Sequence, residues 1–142
     1  MRPCCMRHRL YVHVTWTTRD RTPLITATVA TFLARFLPAI AAQERADLLA
    51  LGMVTTHIHV LLRLDPSTVI PRLLQRLKGG SAMLAEGEGH CRPGGPLRWA
   101  KGYNIESVSP RSIATVAEYL LCQPQHHPRQ AIPGWPCDGT GS

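Results

Sequence analysis

From Met53 to Leu64 the chain reads Met-Val-Thr-Thr-His-Ile-His-Val-Leu-Leu-Arg-Leu, and this stretch constrains the fold more than any other. Its charged and imidazole groups fall on alternate positions of an otherwise aliphatic run, so it predicts a strand. Successive side chains on a strand point to opposite faces. Ile58, Val60, Leu62 and Leu64 therefore share an apolar face that a layer of helices must cover, while His57, His59, Leu61 and Arg63 share the other. Residues two apart on a strand are about 7 Å apart. Two imidazoles leaning inward could close on one divalent ion at about 2.0 to 2.2 Å per bond. The pair reads equally as two solvated histidines, and taken alone it does not decide between these.

The rest of the pattern supplies the missing layers. Residues 8 to 18 alternate Leu10, Val12, Val14 and Trp16 against Tyr11, His13, Thr15 and Thr17, which predicts a half-buried first strand. Val29, Phe32, Leu33, Phe36, Leu37 and Ile40 recur at helical spacing, with Pro38 expected to bend or end that helix early. Residues 47 to 55 predict a strand that runs as a hairpin into the His57 strand. Asp65-Pro66 reads as a helix start, with Val69, Ile70, Leu73, Leu74 and Leu77 inward and Arg72, Gln75 and Arg76 outward, followed by Lys78-Gly79-Gly80. Glycine and proline from Ala85 to Pro96 predict a mobile loop, and residues 98 to 108 another strand. Ser109-Pro110 opens a last helix whose stripe is Ile113, Val116, Ala117, Leu120 and Leu121. The order strand, helix, strand, strand, helix, strand, helix predicts an α+β fold, a ferredoxin-like antiparallel sheet with helices packed on it. Residues 1–128 form the expected domain and 129–142 a Pro/Gly-rich, poorly ordered tail.

Composition narrows the function classes. A chain of 142 residues can bury one core unaided. Its five cysteines are odd in number and lack a Cys-x-x-Cys pair, which argues against a disulfide framework or a thiolate zinc site and suits a reducing compartment. No apolar run reaches the length of a signal peptide core or a membrane span, so a cytoplasmic protein with no membrane partner is expected. A formal charge of +7 favours a polyanionic partner, nucleic acid being the commonest, although a basic surface can also serve solubility alone. Arg72, Arg76 and Lys78 are candidate phosphate contacts on one helix face, which is also the pattern of a solvated face.

On the last helix Tyr119 and Gln123 are four apart, which predicts that they share a flank. A hard cation such as Mg2+ or Mn2+ takes oxygen as well as imidazole ligands. Gln123 could give its carbonyl oxygen to an ion held by His57 and His59, leaving the Tyr119 hydroxyl one helical turn away. His13 and the pair His126-His127 are rival ligands, ranked lower: His13 lies on another strand's polar face, and the pair follows Pro124.

His57-Ile58-His59 on a strand, followed by Tyr119-Leu120-Leu121-Cys122-Gln123 on a late helix, resembles the histidine-hydrophobic-histidine superfamily of single-tyrosine DNA nickases. It is most similar there to the small transposases of IS200-like insertion sequences, including the relatives associated with repetitive extragenic palindromes. Val14-Thr15-Trp16, Leu77-Lys78-Gly79, Trp99-Ala100-Lys101-Gly102-Tyr103 and Ser107-Val108-Ser109 extend the resemblance over roughly residues 8 to 128. What it implies is attack by the Tyr119 phenolate on single-stranded DNA with hairpin ends, giving a 5′-phosphotyrosine link and a free 3′-hydroxyl. It further implies a Mg2+ or Mn2+ cofactor on His57, His59 and Gln123, and a homodimer in which one subunit's tyrosine helix can complete its partner's histidine site. Tyr11, Trp16 and Trp99 are candidates for base stacking, although Trp16 falls on the apolar alternation. The same chemistry could belong to a replication initiator or a domesticated nickase. The alternative from another class is a catalytically silent or domesticated hairpin-binding protein. A zinc hydrolase lacks its His-Glu-x-x-His motif here.

Overall fold

A computed structural model describes residues 9–89 and 95–135. Four strands, β1 (Leu10–Thr17), β2 (Ala46–Met53), β3 (His57–Leu64) and β4 (Asn104–Val108), form one antiparallel sheet in the order β2-β3-β1-β4. With β1 and β3 central this is the ferredoxin-like arrangement that the sequence predicts. Val14, Trp16, Ile58, Val60, Leu62 and Leu64 fill the main core on one face beneath α1 (Ala27–Gln43) and the helical segments α2 (Ile70–Gln75) and α3 (Ser81–Gly87). On the other face α4 (Ile113–Leu121) lays Leu120 on Ala50 and Leu61, with Val108, Ile113, Val116 and Ala117 around them. The alternation in β3 thus sends its aliphatic residues to the larger core and its histidines to the α4 side.

Several elements depart from their local signals. Pro38 lies inside α1, which runs on to Gln43 because Leu37 and Ala41, on either side of it, are fully buried and fasten both halves to the sheet. Asp65-Pro66 makes a turn and not a helix start: Thr68 N donates to Asp65 O, Asp65 N donates back to Thr68 Oγ1, and Val69 is exposed. The helix begins at Ile70 with Pro71 in its first turn. It then passes through a π turn at Arg76–Gly80 into α3, so the segment predicted as a loop from Ala85 is helical to Gly87. Residues 90–94 of that predicted loop lie outside the described residues.

In the predicted strand 98 to 108, strand geometry holds for Asn104–Val108, and Trp99 makes one isolated bridge to Thr18. The 98–103 segment is held instead by Lys78, whose ammonium donates to Ala100 O (2.9 Å) and Gly102 O (2.6 Å), and by Trp99 Nε1 donating to Ser81 Oγ (3.0 Å). The last helix opens with a 3-10 turn, Pro110–Ser112, and Ser109 makes no side-chain cap. Beyond α5 (Gln123–His126), Thr55 N donates to Gln130 O, Ile132 is buried and Trp135 packs on the core, so this part of the expected tail docks on the domain. No helix among the described residues is long and apolar enough to cross a membrane.

Candidate active site

The site is built by the sheet register. His57 stands opposite Thr17, and His59 stands between Thr15 on β1 and Gly52 on β2. A Cβ at Gly52 would collide with Leu120 O. The bare strand therefore lets the end of α4 come down backbone on backbone beside His59. At Cys122 (φ −101°, ψ 22°) the chain leaves α4, and Gln123 opens α5. Sequence spacing puts Tyr119 and Gln123 on one helical flank, but they sit on separate helices, because Pro124 cannot extend α4 and its missing N–H is tolerated in the first turn of a new one.

The two residues consequently differ in environment. Gln123 is wholly buried, its Nε2 3.3 Å from His59 Nε2 and its Oε1 buried with no hydrogen-bond partner. Tyr119 is 43% exposed and stacks its ring on His126 at 4.3 Å. Among the described residues no hydrogen bond joins Tyr119 to His57 or His59.

His57 Nδ1 is 3.1 Å from Thr56 Oγ1, which leaves Nε2 as its unengaged nitrogen, and the ring lies edge-on to His59 at 5.2 Å and to His127 at 5.3 Å. His59 Nδ1 is 2.9 Å from His13 Nε2 and 3.0 Å from Thr15 Oγ1. Burial first, then the charges of His127 and Arg21, push His57 down to about 4. Burial first, then the charges of His57, His13 and His127, push His59 down to about 3. Both rings are thus neutral near pH 7 and offer lone pairs. Burial also lowers His13, partly opposed by Glu106.

The donor set suits a hard divalent ion. Ligand atoms at about 2.1 Å from one ion are about 3.0 Å apart at a right angle and about 3.4 Å apart at a tetrahedral one. The 3.3 Å between the Gln123 amide nitrogen and His59 Nε2 fits that span, and turning the amide would direct its unpartnered oxygen there. Among the described residues no group of three His, Cys, Asp or Glu side chains could hold a metal.

The candidate phosphate contacts are elsewhere and engaged. Arg72 Nε pairs with Glu44 Oε1 (3.1 Å), and Arg76 bridges Glu44 Oε2 (2.7 Å) and Gln43 Oε1 (2.8 Å) at the end of α1. Both belong to the helical layer on the sheet face opposite the histidines. Burial lowers Lys78, which holds the 98–103 segment. Of the stacking candidates, Trp16 is in the core with its edge on Trp99, and Trp99 is tied to Ser81.

Sequence reasoning passes over Arg21 and Thr56. Asp20 (φ 56°) and Arg21 (φ 53°) both take the left-handed conformation in a turn anchored by the buried Thr18, whose Oγ1 donates to Thr22 O and Thr56 O. Arg21 is exposed and pairs with no carboxylate among the described residues, yet its charge reaches His57. The two arginines flanking Asp20 were the available signal; the strain that marks the turn is invisible in sequence.

The chain matches the family model described as "Transposase IS200 like" over residues 6–123. It is 29% identical over 119 residues to the ISDra2 transposase TnpA of Deinococcus radiodurans, covering 82% of this chain and 85% of that protein. The crystal structure of a putative transposase from Deinococcus radiodurans R1 superposes with a TM-score of 0.65 at 27% identity, over 93% of this chain and 98% of that one. A REP-associated tyrosine transposase solved with a REP hairpin shares the fold, with a TM-score of 0.63 at 12% identity over 89% of this chain and 73% of that one.

Proposed function

The chain belongs to the IS200-like transposase family and is a DNA-processing enzyme of transposition, and on that premise we propose that it binds hairpin-bearing ends and cleaves and rejoins single-stranded DNA through Tyr119. The observation that carries this reading is the buried Gln123 amide set against His59 on the sheet face that also bears His57. In the proposed reaction the Tyr119 hydroxyl gives up its proton and its oxygen bonds to phosphorus. The bond from phosphorus to the 3′-oxygen breaks, and that oxygen leaves as a 3′-hydroxyl after taking a proton. Because the phosphotyrosine keeps the diester's bond energy, a second 3′-hydroxyl can reverse the step and join strands. His57, His59 and Gln123 would hold Mg2+ or Mn2+, which when bound supplies positive charge to the phosphate oxygens.

Arg21, exposed and close enough for its charge to reach His57, is freer to meet the DNA backbone than Arg72 or Arg76, which would first have to leave Glu44. The fold shared with a REP-hairpin-bound transposase supports hairpin recognition. The outward stacking of Tyr119 on His126 accords with a homodimer that supplies the tyrosine in trans. It equally suits a catalytically silent hairpin binder.

One substitution separates these two readings. Wild-type protein incubated with a single-stranded hairpin substrate and Mn2+ should form a covalent adduct that survives denaturing electrophoresis, and Tyr119→Phe should form none while still shifting the hairpin in a native gel. Wild-type protein that shifts the hairpin but forms no adduct with either Mg2+ or Mn2+ would establish the silent binder.

A further inference from the structure

His13 and Thr15 make the closest polar contacts that the site residues have, and the reaction as described gives them no role. His59 Nδ1 lies 2.9 Å from His13 Nε2 and 3.0 Å from Thr15 Oγ1, whereas its Nε2 meets a single amide at 3.3 Å. A neutral imidazole carries one N–H and one lone pair, and since the Gln123 amide nitrogen facing Nε2 can only donate, the N–H falls to Nδ1, between His13 and Thr15. We propose that His13 and Thr15 are positioning residues that hold the His59 proton on Nδ1, so that its Nε2 lone pair faces Gln123 and is open to a divalent cation.

The contacts run in two senses, and one of them leaves His59 Nε2 free. With the proton on Nδ1, His59 donates to His13 Nε2 directly, or to Thr15 Oγ1, which lies 3.4 Å from that same His13 nitrogen and can pass its own hydrogen on. Both routes end on the lone pair of His13 Nε2 and put the His13 proton on Nδ1. In the opposite sense His13 would donate, His59 would carry its proton on Nε2, and a hydrogen would occupy the direction in which a cation must bind. The β1–β3 register enforces the contact: Thr15 is directly opposite His59, and His13 is one same-face position along β1, with its ring stacked on His59 at 5.1 Å. A partner that accepts from the far nitrogen of a ligating histidine fixes its tautomer and orientation, and losing it typically weakens metal binding 10- to 100-fold.

The inference rests on the metal reading of His57, His59 and Gln123, and two measurements keep the two apart. Long-range 1H–15N correlation spectra of wild-type protein, with His59 assigned by its loss in His59→Gln, should show His59 protonated on Nδ1. Protonation on Nε2 overturns the inference, whatever the protein does with metal. Mn2+ titrations followed by electron paramagnetic resonance should show binding weakened about 10- to 100-fold in the double variant His13→Ala, Thr15→Val. His13→Gln, which returns an acceptor oxygen at similar reach, should bind within a few-fold of wild type. Mn2+ uptake that His57→Ala abolishes and the double variant leaves unchanged overturns the inference alone. A wild-type protein that takes up no Mn2+ overturns the metal reading and the inference with it.

Discussion

At the scale of single residues, burial sets the protonation of the histidine pair and makes stability depend on pH. His57 and His59 titrate near 4 and near 3 in the folded protein against an ordinary 6.5, so between these limits the unfolded chain binds protons that the folded chain refuses. Their contribution to stability is complete above about 6.5 and is lost as pH falls, at up to about 1.4 kcal/mol per pH unit for each ring. In buffer containing chelator, the melting temperature should fall from pH 7 to pH 5, and His59→Gln should flatten the fall; equal slopes would contradict the assignment. Arg21 permits a second separation of effects. Glycine accepts a positive φ without the strain that arginine stores there. Arg21→Gly should therefore raise or preserve the melting temperature while weakening single-stranded DNA binding and lowering the salt slope by about 0.7. Unchanged affinity would remove Arg21 from the DNA contacts.

At the scale of elements, β1, β2 and β3 were legible in sequence, and the start of β4 and the ends of the helices were not. Alternation in β1 and β3 fixes which face each side chain takes, and a histidine pair on one face follows from it. Asp65-Pro66 carries a good local start signal yet becomes a turn, because the packing of Leu73 and Leu74 places the helix from Ile70 on, whereas Pro110 does open the last helix, as a 3-10 turn running into α4. Gln123 could be named from spacing, but its burial and its separation from the Tyr119 helix could not, since both depend on how closely α4 approaches β2. Gly52 governs that approach. Gly52→Ala would drive a methyl group onto the Leu120 carbonyl, so it should cost about 1–3 kcal/mol and shift Gln123 away from His59. A thermal melt and an Mn2+ titration read the two effects; a variant as stable as wild type would mean that α4 yields there. Lys78→Met should loosen residues 98–103, seen as faster amide exchange at Ala100 and Lys101, because two carbonyls lose their shared donor.

At the scale of the whole molecule, the charge of +7 and the outward-facing Tyr119 bear on how the protein meets DNA and its own copies. Affinity for a single-stranded hairpin should drop steeply between about 50 and 200 mM salt, as release of counterions from a polyanion requires. If the tyrosine acts in trans, mixing Tyr119→Phe with His57→Ala should restore adduct formation that neither shows alone; if it acts in cis, the mixture stays inactive. The break at Cys122 gives the molecule a division of labour. In the proposed reaction, with Tyr119 attacking from one rod and Gln123 holding the cation from the next, the attacking group would be free to pass between DNA strands, or between subunits, while the cation's cradle stayed assembled for the return reaction.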